Sequence, residues 1–191
     1  MSAASGSLSW SRIARRIRVP LGFVCAAVFL WLAHPDWLSI ALGTAVMSVG
    51  IAVRAVASGH VRKNEELTTT GPYAYTRNPL YLGSILIAIG FAMAARNAWI
   101  LALIAAMFAV IYVPVIRAEE AFLRSRFPEY DAYAARVPRL FPRFSGVSKQ
   151  GSGFSLELYR KHREYNAILG ALLLLAVLVA KLIWWGYRFA P

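Results

Sequence analysis

Between Gly71 and Gly83 the chain reads GPYAYTRNPLYLG. Gly71 and Pro72 impose a turn. Pro79 suits the first position of a helix, where its missing N–H would have no partner anyway, and Asn78 falls at the preceding N-cap. Such a helix start presents free backbone N–H groups beside the Arg77 guanidinium, a combination suited to a carboxylate or phosphate. Tyr73, Tyr75 and Tyr81 add aromatic faces and hydroxyls. A second cluster, IRAEEAFLRSRFPEYDAYAARVPRLFPR, runs from Ile116 to Arg143. Glu119 and Glu120 follow an apolar run of 19 residues, Ala98–Ile116, and carboxylates at such a depth are costly unless solvated or paired. Arg117 stands three residues before Glu120 and Arg124 four after it, so helical spacing lets both pair with it. Facing the Pro79 helix start, the two glutamates supply the negative half of an amphoteric pocket whose positive half is Arg77 and the helix N–H groups. A zwitterionic, amino-acid-like ligand fits that pocket.

Apolar helices must position these residues. Of 191 residues, 59% are hydrophobic and 16% charged, which is far more apolar than an ordinary soluble domain. Cutting at the charges leaves five charge-free stretches: Val19–Ala33, Trp37–Val53, Pro79–Ala95, Ala98–Ile116 and Asn166–Ala180. A hydrocarbon core about 30 Å thick takes roughly 17 to 25 helical residues, and flanking Trp, Tyr, His or a snorkelling Lys181 extends the short stretches. The expected fold class is all-α, a polytopic integral membrane protein of about five transmembrane helices in helical hairpins. Gly43 and Gly50, seven apart in the second stretch, let another helix approach closely. Residues 1–57 form a basic tail and first hairpin, 58–143 a core carrying both clusters, and 144–191 a linker, an interfacial helix and a final span. The linker is SGVSKQGSG, and FSLELYRKHREY suits a helix lying at the membrane interface.

The net charge of +12 would suggest nucleic acid in a soluble chain, but its distribution argues otherwise. Alternate sides of the five spans hold 18 and 3 of the Lys and Arg residues. By the positive-inside rule the N-terminus and both clusters are cytoplasmic and the C-terminus is outside, as in a cell-membrane protein. Cys25 is the only cysteine, and His34, His60 and His162 fall in three separate connections, so neither a disulfide nor a metal site is expected. LWLAHPDW has no small-x-small cleavage pattern, so the first span is expected to be retained.

The order GPYAYTRNPLYLG, a hairpin, EE, then FPEYDAYAARVPRLFP resembles the isoprenylcysteine carboxyl methyltransferase and phospholipid methyltransferase superfamily, whose mark is Arg-His-Pro-x-Tyr followed by a Glu pair and an Arg-Val-Pro segment. The resemblance runs from about Lys63 to Arg143. It implies a cytoplasm-facing S-adenosylmethionine site and a lipid or lipidated methyl acceptor. Carried over by position, it places Glu66, Leu67, Thr68, Tyr73 and Arg77 around the cofactor and Asn78, Pro79, Leu80 and Tyr81 at its amino-acid end. Glu119 or Glu120 meets the ribose or ammonium, with Arg117 and Glu120 as catalytic residues and Arg117 directed at a substrate carboxylate. Asn78 stands where the best-known members have His. Asn donates and accepts hydrogen bonds but cannot titrate near neutral pH, and no base is evident besides the two glutamates, which favours a carboxylate or another already nucleophilic acceptor. The alternatives are a phospholipid N-methyltransferase, an NADPH-dependent isoprenoid or sterol reductase, which shares a His-Pro-x-Tyr element, and a non-enzymatic membrane scaffold.

Overall fold

The computed structural model describes residues 23–24, 26–63, 65–144 and 153–188, with side chains through 185. The expected N-terminal tail, the beginning of the first span and Cys25, and the body of the linker lie outside the described residues. Helix α1 covers residues 26–32. It is followed by α2 (Trp37–Ser58), a 3-10 turn (Gly71–Ala74), α3 (Pro79–Ala95), α4 (Ala98–Arg126), α5 (Tyr130–Arg136), α6 (Leu156–Lys161) and α7 (Tyr165–Arg188). Among the described residues there is no strand.

Among the described residues, three helices are long and apolar enough to cross a membrane: Trp37–Ser58, Ala98–Arg126 and Tyr165–Trp185. Helix α3 coincides with the charge-free stretch Pro79–Ala95 and is shorter than these three. Its 17 residues reach about 25 Å at ~1.5 Å per residue. Pro79 fixes its start, and its end is set by Arg96, which adopts a left-handed φ of 51°.

Helices α2 and α3 pack antiparallel, backbone against backbone. A Cβ on Gly50 would lie 2.7 Å from the Gly83 carbonyl oxygen, and one on Gly90 would lie 2.6 Å from that of Gly43. The two glycines of α2 thus meet two glycines of α3, and such close approach gives van der Waals contact that lipid cannot match. Phe29, Met47, Phe91, Ile100 and Leu178 join α1, α2, α3, α4 and α7 in one core.

At the end of the bundle remote from the two clusters, Asp36 caps α2 by accepting from the Ser39 N–H at 2.7 Å, and it pairs with Arg96. Lys181 of α7 donates to the Leu30 and Ala33 carbonyls at 2.5 and 2.7 Å. Its ammonium therefore caps α1 and ties the last helix to the first described one, in addition to any snorkelling. In α4 a π turn at Phe108–Tyr112 precedes Pro114. Its Tyr112 ring meets Tyr81 of α3 edge-on at 5.8 Å.

Candidate functional site

The two clusters dock through their backbones. The Arg77 N–H donates to the Pro138 carbonyl at 2.9 Å and the Arg143 N–H to the Tyr75 carbonyl at 3.1 Å. Thr76 Oγ1 donates to the Leu140 carbonyl at 2.9 Å and Asn78 Nδ2 to the Arg139 carbonyl at 2.9 Å. Asn78 does occupy the N-cap position of α3, but its side chain makes no capping bond. It is turned to the incoming 138–143 segment, a stretch with two prolines whose carbonyls would otherwise go unpaired.

Behind this seam sits Glu120, which is buried. Arg139 donates to Glu120 Oε2 from Nε at 2.9 Å and its Nη2 lies 2.7 Å from the same oxygen, while Arg77 Nη2 lies 3.4 Å from Oε1. Arg77 Nη1 also reaches the Tyr130 hydroxyl at 3.4 Å. Two buried atoms here make no hydrogen bond, Arg77 Nε and Glu120 Oε1. Oε1 is within ion-pair range of Arg77 without being hydrogen-bonded. Leaving a buried charged group short of a partner costs more than the bond itself yields, so the pair retains one donor and one acceptor unused.

The expected local pairing is corrected. Arg117 is exposed and Arg124 turns away to Asp131 at 2.7 Å. Two more distant arginines hold Glu120 because it faces the seam, whereas Arg124 finds a nearer carboxylate just past the Pro128 turn. Glu119 is exposed, so the Glu pair is divided into a buried residue and a solvated one. The amphoteric pocket is altered in the same way, since its positive and negative halves lie in direct contact.

A second centre lies beside the first. Arg54, at the end of α2, holds Glu164, just before α7, through Nε at 3.0 Å and Nη2 at 3.0 and 2.8 Å. Arg54 Nη1 donates to the Leu80 carbonyl at 3.2 Å and to Ser84 Oγ at 2.5 Å. This fastens the first turn of α3 to α2 and α7. Tyr73 stands between the centres. Burial, then Tyr133, Glu119 and Glu164, push its phenol well above the usual range, opposed by Arg54. Tyr133 is raised mainly by burial, and its hydroxyl donates to the Tyr73 carbonyl at 2.7 Å. Both phenols therefore stay protonated at neutral pH.

Leu67, Tyr73, Arg77, Asn78, Pro79 and Glu120 are thus brought together, with Leu67 packed on Tyr130, Tyr133 and Val137. Thr68 is buried and accepts from the Arg62 N–H at 3.3 Å. Leu80 contributes its carbonyl to Arg54, and Tyr81 faces Tyr112. Glu66 is exposed and paired only with Arg62 at 3.5 Å. Sequence reasoning missed Arg139, Tyr130, Tyr133, Thr76, Arg54 and Glu164. Arg54 carried a signal, being a lone charge at the edge of an apolar stretch. Tyr130 and Tyr133 share a helix face by their spacing of three.

Residues 40–130 match the family model described as phospholipid methyltransferase. Over 137 residues the chain is 36% identical to the cobalt-zinc-cadmium resistance protein CzcN of Cupriavidus metallidurans, covering 67% of this chain and 62% of that protein. It is 35% identical over 127 residues to the nickel-cobalt-cadmium resistance protein NccN of Alcaligenes xylosoxydans xylosoxydans, covering 62% of this chain and 60% of that protein. It is 26% identical over 154 residues to protein-S-isoprenylcysteine O-methyltransferase of Schizosaccharomyces pombe, covering 72% and 61%. The chain therefore spans about three-fifths of the length of these curated relatives. No solved structure matches.

Proposed function

The chain belongs to the isoprenylcysteine and phospholipid methyltransferase superfamily, and from that premise we propose that it transfers a methyl group from S-adenosylmethionine to a lipid or lipidated acceptor at the basic end of its helices. The observation that carries this reading is the unfinished pair. Arg77 Nε and Glu120 Oε1 are buried and lack hydrogen bonds. A ligand bearing both a carboxylate and an ammonium supplies one acceptor and one donor, which is what the two atoms lack. The donor set therefore fits the amino-acid end of S-adenosylmethionine, with Arg77 toward its carboxylate and Glu120 toward its ammonium or ribose.

When bound, S-adenosylmethionine would supply an electrophilic methyl on a sulfonium, with a neutral thioether as the leaving group. Leu67, Thr68 and Tyr73 would hold its adenosine part, with Glu66 at the solvent edge. Pro79, Leu80 and Tyr81 form the helix start against the amino-acid end, and Asn78 keeps the Arg139 segment in place. Arg117 and Glu119, exposed on α4, face arriving substrate, and Arg117 orients an acceptor carboxylate. Orientation of two reactants is most of what such a transfer requires, because no covalent enzyme intermediate is involved. A carboxylate acceptor is already nucleophilic, which agrees with Asn78 being unable to act as a base. The 18-to-3 distribution of basic residues supports a site on the cytoplasmic side, where a soluble cofactor reaches it.

The test is incubation of the purified protein with methyl-labelled S-adenosylmethionine and a total lipid extract. Base-labile label in lipid is the expected result, absent with Glu120→Gln. Label in an amine headgroup instead identifies a phospholipid N-methyltransferase, and NADPH-dependent reduction without label transfer contradicts the reading. The names of two relatives favour a second reading, in which methylation serves tolerance to divalent transition metals. Growth of a deletion strain on zinc or cobalt, with rescue by wild type and not by Glu120→Gln, tests it.

A further inference from the structure

Glu120 is held by two guanidiniums that differ in every respect except charge. The Arg77 side chain is 13% accessible, lies 5.9 Å from the Tyr130 ring centroid and bonds its hydroxyl. That of Arg139 is 51% accessible and makes its side-chain bonds with Glu120. The Arg139 backbone is nevertheless fixed, because its carbonyl accepts from Asn78 Nδ2 at 2.9 Å and Thr76 Oγ1 at 3.3 Å. The side chain can leave while the main chain stays. A half-exposed pair breaks at a small cost, whereas parting Glu120 from Arg77 strands buried charge.

Charge count leads to the same asymmetry. With both arginines in place, one carboxylate already faces two cations, so a ligand ammonium meeting the open Oε1 brings a third positive charge, and the repulsion is relieved if one arginine leaves. We propose that the Arg139 guanidinium is a displaceable occupant of the cation seat on Glu120, which it yields to the ammonium of an amino-acid-type ligand, while Arg77 remains. The inference rests on the methyltransferase reading above, since that reading brings an ammonium to this seat. It makes Arg139 a built-in competitor that weakens ligand binding, in contrast to Arg77, which strengthens it.

Calorimetry of the detergent-purified full chain with S-adenosylhomocysteine, and with the analogue carrying hydrogen in place of its amino group, tests this. Arg139→Gln should bind S-adenosylhomocysteine about fivefold more tightly than wild type, the scale of a half-exposed ion pair. Its affinity for the deaminated analogue should be unchanged, and Arg139→Lys should fall between. A melting temperature near the wild-type value establishes that the variants are folded. Unchanged or weaker binding in Arg139→Gln overturns the proposal, as does equal tightening of both ligands, which would mean the arginine obstructs the site by bulk alone. If neither wild type nor variant binds S-adenosylhomocysteine, the methyltransferase reading itself fails and the seat with it.

Discussion

Glu164 and Glu120 each bring a carboxylate to the basic end of the helices and each meets arginine there, yet the two centres are finished to different degrees. Glu164 receives three hydrogen bonds from the single guanidinium of Arg54, whose remaining nitrogen is used by the Leu80 carbonyl and Ser84. Glu120 is the more deeply buried, with 7% side-chain accessibility against 12%, and has two arginines. It still leaves Oε1 without a hydrogen bond and Arg77 Nε without an acceptor. A saturated pair fastens elements together, here α2, α3 and α7. An unsaturated one keeps bonding capacity that a ligand can use.

The sharpest way to break this contrast is Arg77→Ala. It removes the ligand carboxylate's partner and leaves Glu120 to Arg139 alone, so S-adenosylhomocysteine affinity should fall on the order of 100-fold, the scale of a lost charge-assisted hydrogen bond. If the fall is no larger than that caused by Arg54→Gln, the two centres are equivalent and the distinction is wrong. Arg54→Gln should act chiefly on stability. Breaking a partly buried bidentate pair should cost about 2 kcal/mol, read as a lower melting temperature, with only a modest loss of affinity. The double variant Arg54→Gln with Glu164→Gln should recover part of that loss, since the remaining partner is no longer an uncompensated charge. The smallest effect is expected of Glu119→Gln. Its side chain is solvated next to the buried Glu120, so affinity and melting temperature should stay close to wild type, and a large loss of binding would move the ligand seat outward along α4.

Much of this centre was legible in the sequence. Asn-Pro at the head of an apolar stretch marks where α3 begins, and carboxylates closing a 19-residue charge-free run call for partners. The partners themselves were not legible. The i,i+3 and i,i+4 rule offers only neighbours on the same helix, whereas Arg139 comes from a proline-bracketed segment with no periodicity that reaches Glu120 by docking on Thr76 and Asn78. Gly43 and Gly50 were visible as a small-residue pair, but their counterparts Gly83 and Gly90 stand out only once α3 is laid antiparallel on α2. The pairing of Arg54 with Glu164 spans 110 positions and follows from how α7 closes on the bundle, which no local pattern records. The extent of α3 was fully legible, since the charge-free stretch Pro79–Ala95 is the helix itself, begun by Pro79 and ended by the left-handed Arg96.

The central claim is that the Glu120 centre binds ligand and the Glu164 centre holds structure. Its most direct test is titration calorimetry of S-adenosylhomocysteine into wild type, Glu120→Gln and Glu164→Gln, each checked for folding by its melting temperature. Saturable binding is predicted for wild type and for Glu164→Gln, and its loss in a folded Glu120→Gln. Binding by Glu120→Gln with wild-type affinity, or none by wild type, would contradict the account.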